Sequence, residues 1–506
     1  MKKITALLLA VLMFVGTLTS CGGSQNSNQG NNNQNSTEAV TGQGAATGDT
    51  TEAKILPNLP ESDFNGYVFT VLAHREASDD WLTPVPREIT VEVQDAEDPI
   101  NDAVFRRNEV LKTKYNIDFK IVADADNAEA TVLKKTVNAG DATYDAVIMF
   151  NNNVPTIVSG GLLTNVANLP YIDLEKPWWD PAVNSMSIDH KQFLLGGDIL
   201  ILDNEATNAL VFNKDLMANL GMELPYNTVK EGKWTMEAMD AMVRGASSDL
   251  NGDGVMTPKD DRWGFVCYRD TLHALLVSGG GALAVKDEND IPHMDITSQR
   301  NLAVIEKAMN IMYNKQDVLN IQSDIKDGGT NSSNWLAAYH AAFVESRALF
   351  MWVRMRVVEK FRGMDANFGI IPLPKFDETQ EKYCSVVNPY TGVLLGVPKS
   401  AGDLERDSII LEAMAAESRY TLQPAYYDVV LQRKFTRDEE SSEMLDIIFS
   451  NRVYDIGAVY AFGNAFIGFI TLCDKSDTNV TSYYDKNQGA MQKAIDKTVA
   501  LFQAME

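Results

Sequence analysis

One loop has the residue types and the spacing that bind a hard divalent cation. It runs from Asp249 to Asp260 with the sequence DLNGDGVMTPKD. Oxygen-bearing side chains stand at its first, third, fifth, ninth and twelfth positions, and a glycine stands at the sixth. Calcium takes about six to eight oxygen ligands in flexible geometry, and this spacing is that of an EF-hand loop. The predicted ligands are Asp249, Asn251, Asp253, the carbonyl of Val255, Thr257 and Asp260.

The role of this loop has alternatives. Its twelfth position is Asp260 and not glutamate, so bidentate closure would come from a shorter side chain, which Asp261 could assist. An Asp- and Gly-rich turn without an ion is one alternative, and a calcium switch is another. Because a lone loop of this kind in an exported protein meets calcium constantly, we expect a structural calcium ion.

A second group of chemically useful residues follows predicted strands, where open α/β sheets bind their ligands. Flat aromatic rings together with carboxylate, amide and Arg groups suit a sugar, which has apolar faces and polar edges. For any single tryptophan, a packing role is an equally good alternative. The predicted ligand contacts are Trp352, Glu205, Asp203, Asn204, Asn151, Asn152, Arg75, Trp81 and Trp179.

The elements that position these residues read as α/β units. Residues 67–73, 116–122 and 144–149 have strand character, and helical spacing separates them, with Asp98-Pro99 as a helix start. The alternation of strands and helices predicts a parallel sheet. From Lys191 the pattern restarts, which predicts a second α/β unit. The apolar stretch at 456–472 holds three glycines and is expected to be buried and not to span a membrane.

The first 58 residues predict export and tethering. Residues 1–20 have a basic start, a short apolar run and small residues before Cys21, which together indicate a signal peptide. The sequence Leu18-Thr19-Ser20-Cys21 resembles the bacterial lipobox, and this resemblance implies lipidation of Cys21 after cleavage. An ordinary cleaved signal with an unrelated cysteine is the alternative. Residues 22–51 are almost wholly Gly, Ser, Asn, Gln, Thr and Ala, and we expect a disordered tether over 21–58.

Composition excludes several classes of function. The net charge of −25 argues against nucleic acid and against direct contact with an anionic membrane face. Three cysteines beyond Cys21 do not make a disulfide framework, although one pair among Cys267, Cys384 and Cys473 remains open. The five histidines stand singly, with no motif for zinc or for a catalytic triad, and no carboxylate pair is indicated for a hydrolase. We therefore expect a protein that is not an enzyme.

Pieces spread over most of the chain resemble the extracellular solute-binding proteins of bacterial ABC transporters, the maltodextrin-like sugar-binding group. They include residues 101–108, 114–117, 144–147, 161–166, 211–216, 232–235, 249–260 with 263–265, 347–350 and 368–374. The resemblance implies an α/β, two-lobed, periplasmic-binding-protein-like (type II) fold with hinge crossings near 195–196, 371–372 and 430–431. It implies lobe 1 at 59–195 plus 372–430, and lobe 2 at 196–371 plus 431–506.

The function implied by this resemblance is capture of a carbohydrate between closing lobes, on the outer face of the cell membrane, for delivery to ABC permease subunits. Trp352 falls where such proteins often stack a sugar, and Glu205 lies near a polar contact. A lipid-anchored monomer that binds no nucleic acid is expected. A receptor for peptides or other small solutes and a calcium-dependent surface glycan-binding or adhesion protein are the alternatives.

Overall fold

The first sheet begins where Asn65 and Gly66, both with positive φ, turn the chain into a strand. The computed structural model describes residues 54–74, 87–124, 129–321, 334–431 and 439–505. Three parallel strands, β1 (Tyr67–His74), β2 (Ile117–Asp124) and β3 (Ala146–Phe150), alternate with the helices α1 (Pro99–Tyr115) and α2 (Glu129–Ala139). A late strand, Val393–Gly396, adds antiparallel to β3 and gives a four-stranded sheet. Strand and helix alternate here as predicted.

The second sheet has five strands and a mixed arrangement. In spatial order they are β10 (Phe368–Ile371), β4 (Asn208–Asn213), β9 (Ala348–Arg354), β5 (Trp263–Cys267) and β8 (Val318–Asn320). The strand β4 runs antiparallel to both of its neighbours, whereas β9, β5 and β8 are parallel. The carboxyl ends of β5 and β9 therefore share one edge of the sheet with the amino end of β4.

Two small ladders and the remaining helices complete the fold. The ladders pair β6 (Ala284–Lys286) with β7 (Pro292–Met294) and β11 (Ser385–Val386) with β13 (Arg452–Val453), and the late strand Val393–Gly396 is β12. The helices are α3 (Val154–Ser159), α4 (Leu202–Ala206), α5 (Lys214–Asn219), α6 (Tyr226–Lys230), α7 (Met236–Ala246), α8 (Asp270–Ser278), α9 (Gln299–Met312), α10 (Asn334–Val344), α11 (Leu404–Ser418), α12 (Leu422–Leu431), α13 (Glu439–Ser450), α14 (Ile456–Val459), α15 (Ala465–Ile470) and α16 (Val480–Ala504).

Residues from Ile55 onward form one compact unit in which each sheet has its own core. The chain passes from the first sheet to the second between β3 and β4, and it returns between β10 and β12. An antiparallel bridge joins Thr207 to Val387, so these two crossing segments run side by side.

The helices α11 and α12 follow one another after a short turn, and both pack against α1. The next helix, α13, packs against β10 of the second sheet. The crossing near 430–431 stays a prediction.

Local contacts define three further segments. The side chain of Thr235 caps α7 by accepting from the N–H of Ala238. Residues 193–195 make a single bridge to β12, and residues 199–202 lead into the short helix α4. The apolar stretch at 456–472 divides into α14 and α15 around the positive-φ residues Ala461 and Asn464.

None of the described helices combines the length and the apolar composition that a membrane span needs. Cys267, Cys384 and Cys473 all carry free thiols.

Candidate functional site

The carboxyl end of the first sheet carries an imidazole, a carboxylate and amides. His74 ends β1, and its ring lies 3.9 Å from the ring of Phe150 at the end of β3, centroid to centroid. Glu129, the first residue of α2, accepts a hydrogen bond through Oε1 from Nδ2 of Asn153 at 2.7 Å and from the N–H of Phe150 at 3.3 Å. Asn151 and Asn152 follow directly, as the strand pattern predicted.

The side chain of Asn151 is the most informative group at this edge. It is 0% exposed, and neither Nδ2 nor Oδ1 has a hydrogen-bond partner among the described residues. Its backbone N–H donates to the carbonyl of Gly392 at 2.8 Å. Because buried amides are nearly always paired, an open donor and an open acceptor mark a place for a polar ligand or for water.

The facing edge of the second sheet presents aromatic and basic groups. Asn208 pairs with Arg354, and Leu210 pairs with Trp352, so Trp352, Arg354 and Asn208 share one face of the sheet. Tyr268, which follows β5, packs edge-on against Trp352 with ring centroids 4.8 Å apart. Trp352 is 1% exposed, and among the described residues its Nε1 has no acceptor.

One loop, residues 388–392, touches the strand ends of both sheets. Nη1 of Arg354 donates to Oγ1 of Thr391 at 3.0 Å, and Nδ2 of Asn388 reaches Oδ2 of Asp270 at 3.5 Å. The same loop accepts the backbone hydrogen bond of Asn151 through Gly392. We call the residues around this loop the strand-end site: Glu129, Asn151, Asn152, Asn208, Tyr268, Asp270, Trp352, Arg354, Asn388, Thr391 and Gly392.

Burial sets the electrostatics of this site. It raises the pKa of Tyr268, which keeps the phenol neutral and able to donate a hydrogen bond. Burial also raises the pKa of Asp270, an effect that the neighbouring Arg269 and Arg354 oppose. Amides, a phenol, an indole and a guanidinium can all bind polar groups of a ligand.

Three predicted ligand contacts lie on α4, beside the crossing segments. Nη1 of Arg452 lies 3.1 Å from Oδ2 of Asp203 and also donates to the side-chain oxygen of Asn204. Nη2 of Arg452 lies 3.0 Å from Oδ2 of Asp180. Burial raises the pKa of Asp203 to about 7. The polar groups of Asp203 and Asn204 are therefore engaged in a buried network. Oε1 of Glu205 lies 3.9 Å from Nη2 of Arg87, and its carboxylate is likewise buried.

Trp179, another predicted contact, lies in the core of the first sheet. Its Nε1 donates to Oε2 of Glu412 at 2.7 Å, and the neighbouring Trp178 donates to Oε1 at 3.0 Å. Since its ring is buried in this core and its N–H is bonded to Glu412 of α11, we leave it out of the strand-end site. Arg75, Trp81 and the predicted lipidation residue Cys21 lie outside the described residues.

The predicted calcium loop joins α7 to the strand β5, so its second flank is a strand where an EF-hand has a helix. Both carboxylate oxygens of Asp249 accept backbone N–H groups, from Gly252 and Gly254 at 2.7 Å each. Buried Asp261 accepts from the N–H groups of Leu250 and Thr257, which lower its pKa.

The oxygen donors of this loop are chemically suited to calcium, which takes about six to eight oxygen ligands in flexible geometry. Asn251, Asp253, Val255, Thr257 and Asp260 complete the predicted donor set. Within the described ranges, no group of three or more His, Cys, Asp or Glu side chains is placed to hold a metal ion. The calcium prediction rests on residue types and spacing.

Several residues of the strand-end site were absent from the sequence-based prediction. Tyr268 and Asp270 follow β5, a fully buried strand whose short run Trp263–Cys267 was not among the strands predicted from the sequence. Asn388 and Thr391 precede β12 in an Asn-Pro turn, which is a detectable signal. Glu129 stands at a helix start, where a carboxylate is common, so its residue type and position do not predict a role in ligand binding.

No protein-family model matches the sequence, and no curated protein matches it. Many solved structures are similar. An ABC substrate-binding protein of Listeria monocytogenes, solved with cycloalternan, matches with a TM-score of 0.51 at 13% identity, covering 86% of this chain and 98% of its own.

Two further structures match over similar lengths. UspC of M. tuberculosis has a TM-score of 0.55 at 15% identity, with 84% of this chain and 100% of its own covered. A sugar transporter from Rhizobium etli in an open conformation has a TM-score of 0.51 at 13% identity, covering 87% and 100%. These similarities confirm the predicted fold: the chain is an α/β protein with the two-lobed, periplasmic-binding-protein-like architecture.

Proposed function

We propose that this chain is the substrate-binding receptor of a bacterial ABC importer and that it captures a carbohydrate, of oligosaccharide size, at the strand-end site. The fold is shared with proteins described as an ABC substrate-binding protein, solved with cycloalternan, and as a sugar transporter. This supports a binding protein over an enzyme.

The observation that carries the proposal is the fully buried amide of Asn151 beside the loop that contacts both sheets. Its Nδ2 and Oδ1 have no partner among the described residues. A sugar hydroxyl both donates and accepts, so it can satisfy either atom. Trp352 and Tyr268 lie at the opposite strand ends and supply apolar ring surface for the faces of a sugar.

Capture requires no bond to be made or broken. Trp352 is 1% exposed, so a ligand that reaches its indole must first enter an opened site. Ligand contacts made only in the closed form would then favour closure by their differential affinity for the two states. The crossing segments at Leu202–Ala209 and Val386–Val393 are the candidates for the hinge of this motion.

The roles of individual residues follow from their surroundings. We assign Asn151, Asn152 and Trp352 to ligand contact, as the sequence predicted, and add Tyr268 and Arg354. Asp203 and Asn204 are assigned to the buried hinge network around Arg452, and Glu205 to the same region of α4.

The amino-terminal segment fits a receptor that works at a membrane. We propose that the chain is cleaved before Cys21, lipidated there, and held as a monomer on the extracytoplasmic face of the cell membrane, next to its permease subunits. Mass spectrometry of the mature amino-terminal peptide tests this proposal. We expect a peptide that begins at Cys21 and carries the added mass of a lipid, and a mature protein with an unmodified Cys21 thiol would contradict the anchor.

We also propose that the loop at 249–260 holds a structural calcium ion. The chemistry of its carboxylate, amide, hydroxyl and carbonyl oxygens is the support for this proposal.

Thermal-shift screening against saccharides and peptides, followed by small-angle scattering, tests the function. We expect maltotetraose, cellotetraose or mannotriose to raise the melting temperature and to make the protein more compact. Stabilisation by peptides alone would point to a peptide receptor, binding without compaction to an adhesion protein, and cleavage of a polymer to a hydrolase. Each of these results would overturn the proposal.

A further inference from the structure

In the part of the chain that the structure describes, only one of the two carboxylate oxygens of Glu129 is hydrogen-bonded to the end of the first sheet. Its side chain is 0% exposed, and Oε1 accepts from Nδ2 of Asn153 and from the N–H of Phe150. These two contacts fix the chain where β3 leaves the sheet. They also place the carboxylate at the strand-end site, because Phe150 directly precedes Asn151 in the sequence.

The other half of this carboxylate is open. Oε2 is buried and has no hydrogen-bond partner among the described residues. No described lysine or arginine forms an ion pair with Glu129, and the lysines of its own helix, Lys134 and Lys135, are exposed to solvent. A buried carboxylate that lacks a partner is costly, so such a group normally faces a cation, a donor or a bound molecule.

The neighbouring open atoms show what kind of molecule would fit. Glu129, Asn151 and Asn152 together have four buried side-chain atoms without a partner among the described residues. Three of them are acceptors, Oε2 of Glu129 and Oδ1 of both asparagines, and one is a donor, Nδ2 of Asn151. Acceptors therefore outnumber donors within this trio of residues. A ligand that satisfies them must bring several N–H or O–H groups and little negative charge.

We propose that Glu129 is a specificity-determining, ligand-contacting residue, and this inference rests on the carbohydrate-binding function proposed above. Its Oε2 accepts a hydrogen bond from a hydroxyl or an ammonium group, so the site takes neutral and amino saccharides and rejects uronic acids. A ligand carboxylate at this position would place two like charges in one buried site. We therefore expect both binding of neutral or amino saccharides and exclusion of uronic acids.

The test compares charge classes at matched length. Calorimetric titration of the full chain would use maltotetraose, cellotetraose and mannotetraose as neutral ligands, a glucosamine tetramer as the amino ligand, and tetragalacturonate and tetramannuronate as acidic ones. We expect binding of at least one neutral or amino ligand, and affinity for the acidic tetramers at least about 100-fold weaker.

The variant Glu129→Gln keeps an acceptor for Asn153 but removes the charge. A hydrogen bond to a charged group contributes about 1.5–3 kcal/mol, so the affinity for the preferred neutral or amino ligand should fall about 10- to 100-fold. The discrimination against acidic tetramers should shrink by a similar factor. Glu109→Gln, at an exposed position on α1, is the control and should change neither value.

The outcomes separate the two proposals. Neutral ligands that bind wild type and Glu129→Gln equally, within about twofold, would overturn the role of Glu129 and leave the receptor function standing. Wild-type protein that binds an acidic tetramer as tightly as a neutral one would also overturn it, even where the variant does not fold. If no saccharide binds wild type, the carbohydrate function fails, and this inference fails with it.

Discussion

The backbone N–H of Asn151 donates to the carbonyl of Gly392 at 2.8 Å, while Nδ2 of the same asparagine lies 2.5 Å from where a Cβ on residue 392 would stand. A side chain at 392 would also come within 2.7 Å of Val387 and 2.9 Å of the carbonyl of Asn388. Glycine is required here by close approach. This contact joins the end of the first sheet to the loop that Arg354 reaches from the second.

Gly392→Ala should therefore weaken ligand binding. The added methyl has no room, so the amide of Asn151 or the loop must shift, at a cost of about 1–3 kcal/mol. We expect about a tenfold loss of affinity for the best saccharide in the screen and a lower melting temperature. Calorimetric titration and thermal unfolding measure the two effects.

Gly489→Ala is a matched control for this change. Gly489 lies inside α16, and a Cβ there meets nothing within 4 Å. Alanine is the better helix former, so stability should rise by about 0.5–1 kcal/mol and affinity should stay constant. Equal affinities for Gly392→Ala and wild type would remove Asn151 and its loop from the proposed binding surface.

Arg452→Met should be strongly destabilising. Arg452 lies between Asp180 and Asp203, and removing its charge leaves buried carboxylates unpaired, which costs about 3–5 kcal/mol. Urea unfolding measures this loss. Arg106→Met, which breaks the exposed pair with Asp102, should cost less than about 1 kcal/mol.

The double variant Arg452→Met, Asp203→Asn checks the mechanism. It removes one of the stranded carboxylates, so it should recover part of the stability that Arg452→Met loses. A double variant that is less stable than Arg452→Met alone would show that the charges are not the cause.

Local sequence signals were sufficient to predict the first sheet and much of the second. Asp98-Pro99 marked the start of α1 because the aspartate side chain caps the first turn, and Thr235 did the same for α7. The strand β3 was visible because a fully buried parallel strand reads as a continuous apolar run. That run also led to Asn151.

The crossings and half of the candidate site depend on long-range pairing, which a sequence does not display. Asp203 follows an apolar stretch, which is where a ligand-binding residue is expected. In the structure, however, its carboxylate accepts a hydrogen bond from Arg452, which is distant in the sequence. Trp179 was predicted to contact the ligand, but in the structure its indole N–H donates to Glu412 of α11. Glu129 gives no local signal, because its open oxygen is apparent only once the burial of its side chain is known.

Calcium should stabilise the protein against heat if the loop at 249–260 binds it. A ligand present at about 100 times its Kd adds about 2.7 kcal/mol, so the melting temperature in calcium should exceed that in chelator. Asp253→Ala should abolish the difference, since it removes the oxygen at the fifth position. Asp365→Ala, at an exposed site outside the loop, should keep the difference. Identical unfolding of wild type in calcium and in chelator would contradict the structural ion.

The pair Asp145 and Asp407 should make stability fall as pH rises. Both carboxylates share one guanidinium, that of Arg406, with Nη2 at 3.1 Å from Asp145 and 3.0 Å from Asp407. Burial and then the charge of Asp145 raise the pKa of Asp407 to about 8, above its ordinary value of 3.8. Between these two pH values the folded state binds a proton that the unfolded state has lost, so unfolding free energy decreases with rising pH and levels off above about pH 8.

Asp407→Asn tests this linkage, because its neutral amide resembles the protonated acid. The variant should lose this part of the pH dependence and be more stable than wild type at pH 9, by roughly 1–3 kcal/mol, while differing little at pH 5. Urea unfolding at both pH values measures the difference. Glu405→Gln, exposed on the same helix, should leave the pH profile unchanged. A wild-type protein that gains stability from pH 5 to pH 9, with Asp407→Asn following in parallel, would show that Asp407 is ionised throughout and that Arg406 neutralises both carboxylates.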